Sequence, residues 1–320
     1  MKVFLTGASG FVGSAALKNL VAAGHDVLGM VRDIKRADPV MKAGGTPIVG
    51  DLMDPATWSE KVKECDAVIS ASMPVDVTRK LSFEEADRLS GTHAHEVINL
   101  ISAAADSNVK AVILTYHVTV FEDQGEAWVN ELNKINPVGL SRVVAGGYWD
   151  IDKAARDAGV QTIEVFPGWA YGPGSWFKEL VVDRLRSGEG RIIGKGTNYM
   201  SLVHIDDVAE AYRLVLDKMP VGERFIISDS HPVMLKEFFK LVAMEMGLPA
   251  PGTIEKQDFA ARYGEAMTEG LTASVRVKND KAKKELGFSA KFDNYCHGIP
   301  AVLRDMGIEP AKEMPRAAGF

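Results

Sequence analysis

The stretch "TGASGFVG" at residues 6–13 limits what this chain can fold into more than any other feature. It follows an apolar run, Val3, Phe4 and Leu5, and opens a helix-period segment, "FVGSAALKNLVAAG", that stops at Gly24. Gly7 allows a tight turn, Gly10 lets backbone approach a pyrophosphate, and Gly13 lets the helix lie close to the strand. Free N–H groups at the start of that helix point toward an anion. The chain is therefore expected to open with a strand–turn–helix unit that holds a dinucleotide.

The rest of the chain keeps this rhythm as far as Pro167. "DVLGMV", "TPIVGD", "DAVISAS", "AVILTY" and "QTIEVF" read as short strands, apolar nearly throughout. "GTHAHEVINLISAAADS" and "GGYWDIDKAARDAG" read as helices between them. Strands alternating with helices imply a parallel sheet covered on both faces, an α/β doubly wound fold. After the Gly/Pro/aromatic loop "PGWAYGPGSW" the elements become irregular. A helix is predicted near 176–187, a strand at Arg191–Ile193, a helix over Val208–Lys218 capped by Asp206 or Asp207, a strand at Arg224–Ile227 and a helix over Leu235–Met246. The predicted organisation is a Rossmann domain over 1–167 plus about 201–229, and a smaller C-terminal substrate lobe over 168–200 and 230–320. The last ten residues are expected to form a loose tail.

Composition narrows the function classes. The 320 residues are 46% hydrophobic and 25% charged, with net charge −6, ordinary values for a globular protein. The densest basic run is Lys281-Ala282-Lys283-Lys284, too short for a nucleic-acid surface. Two cysteines, Cys65 and Cys296, make neither a disulfide framework nor a zinc motif, which fits a reducing, cytoplasmic setting and no metal. No apolar run approaches the ~18 residues of a membrane span. The apolar start is broken at once by glycine, unlike a signal peptide.

The second strand ends "GMVRD". A site selective for NAD usually has an acid there for the ribose 2′-OH. Here the place is taken by Val31, and Arg32 follows, with Lys35 and Arg36 nearby. A guanidinium suits a 2′-phosphate, so NADP(H) is the expected cofactor. Asp51, after the third strand, is placed to accept from the adenine amino group.

The chain resembles the extended short-chain dehydrogenase/reductase family, also called the NAD-dependent epimerase/dehydratase family. The resemblance rests on "TGASGFVG", "GDLMD" (50–54), "FPGWAYGPG" (166–174), "SLVHIDDVAEAY" (201–212) and "KAKKELGFSAKF" (281–292). It implies a dinucleotide set of Gly7, Ser9, Gly10, Phe11, Val12, Gly13, Arg32, Asp51, Leu52, Ser70, Ala71 and Pro167. It also implies hydride transfer between nicotinamide and a carbonyl or alcohol carbon, assisted by a Tyr, by a Lys four residues later on the same helix face, and by a Ser or Thr past the fifth strand. This sequence departs from that pattern, because none of its seven tyrosines has a lysine four residues on. Counted back from "VFPG", the Tyr and Lys places fall near Leu140 and Val144. In "VILTYHVTVF" (112–121), His117 stands where the Ser or Thr belongs, with Tyr116 beside it. His117, Tyr116 and Tyr148 are therefore the candidate catalytic residues. An imidazole at that place can donate a hydrogen bond to a carbonyl, or a proton once charged.

Trp169, Tyr171 and Trp176, with Tyr199, Met200 and Met73, form an aromatic, apolar set expected to line the substrate pocket. The substrate is expected to be an apolar or aromatic small molecule. Arg184, Arg186 and Arg191 keep a nucleotide sugar open. The expected activity is reduction of a carbonyl or activated double bond without the usual Tyr/Lys pair. The alternatives are a redox-inert NADP(H)-binding sensor or scaffold, and a non-redox isomerase or lyase that retains the cofactor. By analogy with the family, the helices at about 92–105 and 142–158 suit a homodimer interface.

Overall fold

A computed structural model describes residues 1–73 and 79–311 of the chain. Seven parallel strands form its main sheet: β1 (Lys2–Leu5), β2 (Asp26–Val31), β3 (Thr46–Val49), β4 (Ala67–Ser70), β5 (Ala111–Thr115), β6 (Thr162–Pro167) and β7 (Arg224–Ile227). Their spatial order is 7-6-5-4-1-2-3, with every neighbouring pair parallel. The chain winds outward from β1 through β2 to β3, then returns to build β4 on the other side. That reversal opens a crevice at the carboxyl end of β1, where α/β sheets place their ligands. The glycine loop leaves β1 at this point.

Strand alternation divides the core in two. Phe4, Val68, Val112, Leu114, Phe166 and Ile226 face one side. Val3, Leu5, Ile69, Ile113, Val165 and Phe225 face the other. Helices α1 (Phe11–Ala22) and α5 (Ile205–Lys218) cover the second face, while α2 (Phe83–Ala105), α3 (Ser141–Ala145) and α4 (Tyr148–Asp157) cover the first. Burial on both faces is why the strands carry so few polar residues. A third core, built on Trp169, Trp176, Phe177, Phe238 and Val302, belongs to the later half of the chain. It draws on α6 (Leu235–Glu245), α7 (Lys256–Tyr263) and α8 (Glu265–Thr272).

Three helices differ from their predicted form. Helix α2 starts at Phe83, well before the predicted Gly91, because Ser82 caps it by accepting from Glu85 N–H at 3.1 Å. Helix α5 starts at Ile205, capped by neither Asp206 nor Asp207. His204 is the cap, its Nδ1 accepting from Asp206 N–H at 3.1 Å. The Asp207 carboxylate is engaged elsewhere, accepting from the N–H groups of Lys291 (2.6 Å) and Phe292 (3.2 Å). The helix predicted near 176–187 is a wide-turn segment, Phe177–Val182, running into one α-helical turn at Asp183–Arg186. The predicted tail lies outside the described residues from position 312 on.

Phe166 is fully buried where Tyr116 and Phe121 meet it at 5.3 and 5.2 Å between ring centroids. Phe166→Ala is expected to cost about 3–5 kcal/mol, read as a shift of the urea unfolding midpoint at unchanged slope.

Candidate active site

The loop after β1 fits a dinucleotide. Gly7 has φ +65°, and a Cβ there would stand 2.8 Å from Ala71 O. A Cβ on Gly13 would stand 2.1 Å from Gly7 O, so only hydrogen lets α1 come this near. Gly10 is exposed, caps α1 with no side chain, and a Cβ on it would meet only Gly7 O at 3.1 Å. No acid stands in the first turn of α1, so the end of the helix is left open to a phosphate. Ser9, Phe11 and Val12 are partly exposed along the same turn. Ser70 ends β4, and Ala71 N–H donates to Thr6 Oγ1 at 3.1 Å, tying the loops after β1 and β4 together. Pro167 closes β6, and Leu52 is buried beside the exposed Asp51. Asp51 Oδ1 accepts from Met53 N–H at 2.9 Å. Arg32 is exposed just past β2 and makes no hydrogen bond or ion pair with the described residues.

At the end of β5 the backbone stays extended through His117 (φ −151°, ψ 147°). Alternation therefore continues, and neighbouring side chains point to opposite faces. Thr115 Oγ1 meets Tyr212 OH at 2.6 Å on the α5 side. Tyr116 points the other way into the first core, stacked on Phe166 and 5.2 Å from the Tyr148 ring, with its hydroxyl buried and unpartnered. His117 is half-buried, its ring edge-on to Trp169 at 4.8 Å between centroids. Thr119 N–H donates to His117 Nδ1 at 3.2 Å, and Thr119 Oγ1 lies 2.8 Å from the same nitrogen. Nδ1 is thus an acceptor, which leaves the ring proton on Nε2. Among the described residues Nε2 has no hydrogen-bond partner and is not sealed from solvent. Desolvation pushes the His117 pKa down to about 4, so the ring is neutral at physiological pH.

Tyr116 and Tyr148 do not join His117. Tyr148 is buried under the sheet, donating to Glu164 Oε1 at 2.7 Å and accepting from Arg224 Nη2 at 2.7 Å. Glu164 and Arg224 are paired across β6 and β7, with Arg224 Nε 2.9 Å from Glu164 Oε2. Burial and the Glu164 charge raise the Tyr148 pKa, and burial raises that of Tyr116. Both phenols are buried in the first core and neither stands beside the His117 ring. The cause is parity for Tyr116 and the glycine pair preceding α4 for Tyr148. A Cβ on Gly146 would sit 2.1 Å from Ser90 Oγ, and one on Gly147 2.3 Å from Ala94 Cβ, so α2 presses directly on this turn. Val144 is buried in the first core, and Leu140 lies against Gly270 of α8, where a Cβ would meet Leu140 Cβ at 2.5 Å.

The expected pocket residues divide. Trp169, Trp176 and Met200 belong together: Trp169 and Trp176 are edge to face at 5.3 Å, and Trp176 and Met200 line an elongated cavity. Tyr199 is half-buried under the Arg276 guanidinium, 4.4 Å from its ring centroid. Tyr171 stands apart from these residues. It is fully buried against His204 and Phe177, and its hydroxyl fills the space where Gly298 lacks a side chain. Met73 is 52% exposed. The residues just before α2 are strapped to the later half of the chain. Leu81 N–H donates to Tyr263 O at 2.8 Å, and Leu81 O accepts from Ala266 N–H at 3.2 Å.

Sequence reasoning missed Thr119, which orients the histidine, and Thr6, which joins the two loops. The His-x-Thr spacing was the only available signal for Thr119; Thr6 precedes the glycine loop but is an unremarkable residue type. Among the described residues no three His, Cys, Asp or Glu side chains gather as a metal site, and no helix is long and apolar enough to cross a membrane.

Residues 3–228 match the model of the NAD dependent epimerase/dehydratase family. The chain belongs to that family. A nicotinamide dinucleotide is accordingly the cofactor class its glycine loop serves. The chain is 27% identical to a 4-hydroxy-2-methyl-3-oxo-4-farnesyl-3,4-dihydroquinoline-1-oxide ketoreductase of Stigmatella aurantiaca, over 99% of this chain and 100% of the relative. It is 24% identical to a 2-alkyl-3-oxoalkanoate reductase of Stenotrophomonas maltophilia, over 97% and 95%. Its fold is similar to that of the human epimerase family protein SDR39U1 with NADPH (TM-score 0.77, 18% identity, 95% and 100% covered). It is also similar to the dTDP-glucose 4,6-dehydratase DesIV from Streptomyces venezuelae with NAD (TM-score 0.79, 20% identity, 95% and 97% covered).

The structural reading of Tyr148 has a direct check. Tyr148→Phe removes a buried hydroxyl shared by a partly exposed ion pair and is expected to cost about 1–3 kcal/mol of stability in urea, with kcat unchanged.

Proposed function

We propose that this protein is an NADP(H)-dependent oxidoreductase that reduces a carbonyl of an apolar small molecule, with His117 as the hydrogen-bond donor to the carbonyl oxygen. The observation that carries the reading is the His117 ring: neutral, held by Thr119 through Nδ1, and turned so that Nε2–H is free. Two relatives named as reductases, matched along nearly their whole length, support the same reaction class.

The bound dinucleotide supplies the hydride that reduces the carbonyl carbon. Negative charge then develops on the carbonyl oxygen, and a donor fixed in advance beside it stabilises that charge without reorganising. A neutral imidazole fills this role while keeping its proton. The proton that completes the alcohol is taken from water at the exposed edge of the cleft. The low pKa of His117 argues against an imidazolium acting as the acid near neutral pH. Val31 in place of an acid, and Arg32 beside it with no partner among the described residues, favour a cofactor that carries the 2′-phosphate.

Two measurements test this reading. His117→Ala is expected to lower kcat about 10²–10³-fold, measured as NADPH oxidation with a panel of apolar ketones, and His117→Gln, which keeps an N–H donor, to lose less. Because the folded pKa is depressed, His117 stays neutral above about pH 5, so kcat/KM carries no inflection near 6.5. Its stability effect has the matching sign. The unfolded chain binds a proton below about 6.5 that the folded chain refuses until about 4, so stability falls as pH drops through that window. NADPH that binds without turnover on any ketone would replace this reading with the redox-inert one. In the second measurement, Arg32→Ala is expected to weaken NADPH at least about tenfold, as losing a charge-assisted contact does, and to leave NADH unchanged; equal loss for both would refute the 2′-phosphate assignment.

A further inference from the structure

The cavity beside Trp176 has a chemistry that the reductase reading does not use. It opens to solvent at its mouth, with about 690 Å³ of space when that solvent is counted. It is a narrow slot between the Phe177–Arg186 segment, α6, α7 and α8. Its walls are apolar: Leu180, Val181, Ile193, Leu235, Phe239 and Ile254 among them. Trp176, which lines the cavity, also touches Trp169, and Trp169 touches His117.

Charge gathers among the same lining residues. Three arginines, Arg184, Arg191 and Arg262, line the slot against one acid, Glu189. Arg191 is spent on the carbonyls of Gly188 and Gly190, and Arg262 leans toward Glu189 at 3.9 Å. Arg184 is different. It is half-buried, it has no carboxylate within 4 Å among the described residues, and its one partner is the Tyr263 hydroxyl. Its guanidinium lies 4.7 Å from the Tyr263 ring centroid, and Arg262 lies 5.4 Å from the same centroid. The Tyr263 oxygen accepts from Arg184, which leaves its own proton to donate. A guanidinium with unused N–H groups beside a free phenolic O–H makes a pair of donors in the wall of an otherwise apolar cavity. A planar carboxylate matches it, and an aliphatic chain matches the slot.

We propose that this cavity holds the distal part of the substrate, and that the substrate is an amphipathic carboxylate: a carbonyl compound whose apolar chain fills the slot and whose terminal carboxylate is bound by Arg184 and Tyr263. This assignment of substrate class rests on the reductase reading for its carbonyl, but the binding chemistry is independent of turnover. A carboxylate here cancels a half-buried positive charge that the fold leaves unpaired. A neutral chain of equal length fills the same walls and gains nothing at the arginine.

The experiment is equilibrium binding of dodecanoate, methyl dodecanoate and 1-dodecanol to the cofactor-free protein, followed by Trp176 fluorescence and by calorimetry. Dodecanoate is expected to bind at least about tenfold more tightly than the ester or the alcohol, as a charge-assisted contact implies. Arg184→Gln is expected to erase that preference and leave alcohol binding within twofold, while Arg184→Lys restores part of it. Equal affinity for the three ligands, or binding of none, overturns the proposal. Should Arg184→Gln fail to fold, the comparison of acid with ester on the unaltered protein decides alone. The reductase reading fails separately: carboxylate-selective binding with no NADPH oxidation on keto acids would leave the cavity assignment standing and remove the reaction.

Discussion

The contact between Gly13 and the carbonyl of Gly7 is what the rest of the molecule is arranged around. A methyl group on Gly13 would sit 2.1 Å from that oxygen, far inside any allowed contact. Its absence lets α1 come down onto β1 with its start in the crevice where the strand order reverses. If the helix were lifted by the width of one carbon, its free N–H groups would no longer reach a phosphate held there. α1 and α5 pack on one another across that face, so α5 would have to follow. The later half of the chain is joined to α5 through Asp207, which holds the backbone at Lys291 and Phe292. A single hydrogen in place of a side chain is thus felt from the phosphate cradle to the C-terminal segment.

Much of this was legible in the sequence, for physical reasons. The strands of a doubly covered sheet must be apolar on both faces, so "VFL" and "AVIL" announce themselves without context. The glycine loop combines three separate steric demands within a few residues, which few other structures impose together. The site past β5 was only half legible. Position named His117 first, but left Tyr116 and Tyr148 as further candidates. Which of two adjacent side chains faces the crevice depends on whether the strand stays extended for one more residue, and here it does. Tyr148 looked available because its partners, Glu164 and Arg224, lie 16 and 76 residues away in the chain. No local pattern reports such a triad. The slot beside Trp176 was invisible for the same reason, since its walls come from segments far apart in sequence.

The chemistry around His117 follows from solvation more than from charge. No ion pairs with the ring, and burial alone accounts for its low pKa. A histidine in this state gives up its charged form and gains constancy, because its hydrogen-bonding character does not change across the physiological range. Thr119 then sets which nitrogen is the donor. The family's more usual device is a phenol activated by a neighbouring cation. Here Leu140 and Val144 occupy the aligned places and are packed against apolar neighbours, so neither place offers a phenol or a cation.

Leu81 is tied through both of its backbone groups to the later half of the chain, its N–H donating to Tyr263 O and its carbonyl accepting from Ala266 N–H. Tyr263 thus presents its phenol to the cavity while its backbone anchors the residues that lead into α2, so a substitution that displaced its ring would also loosen the start of that long helix.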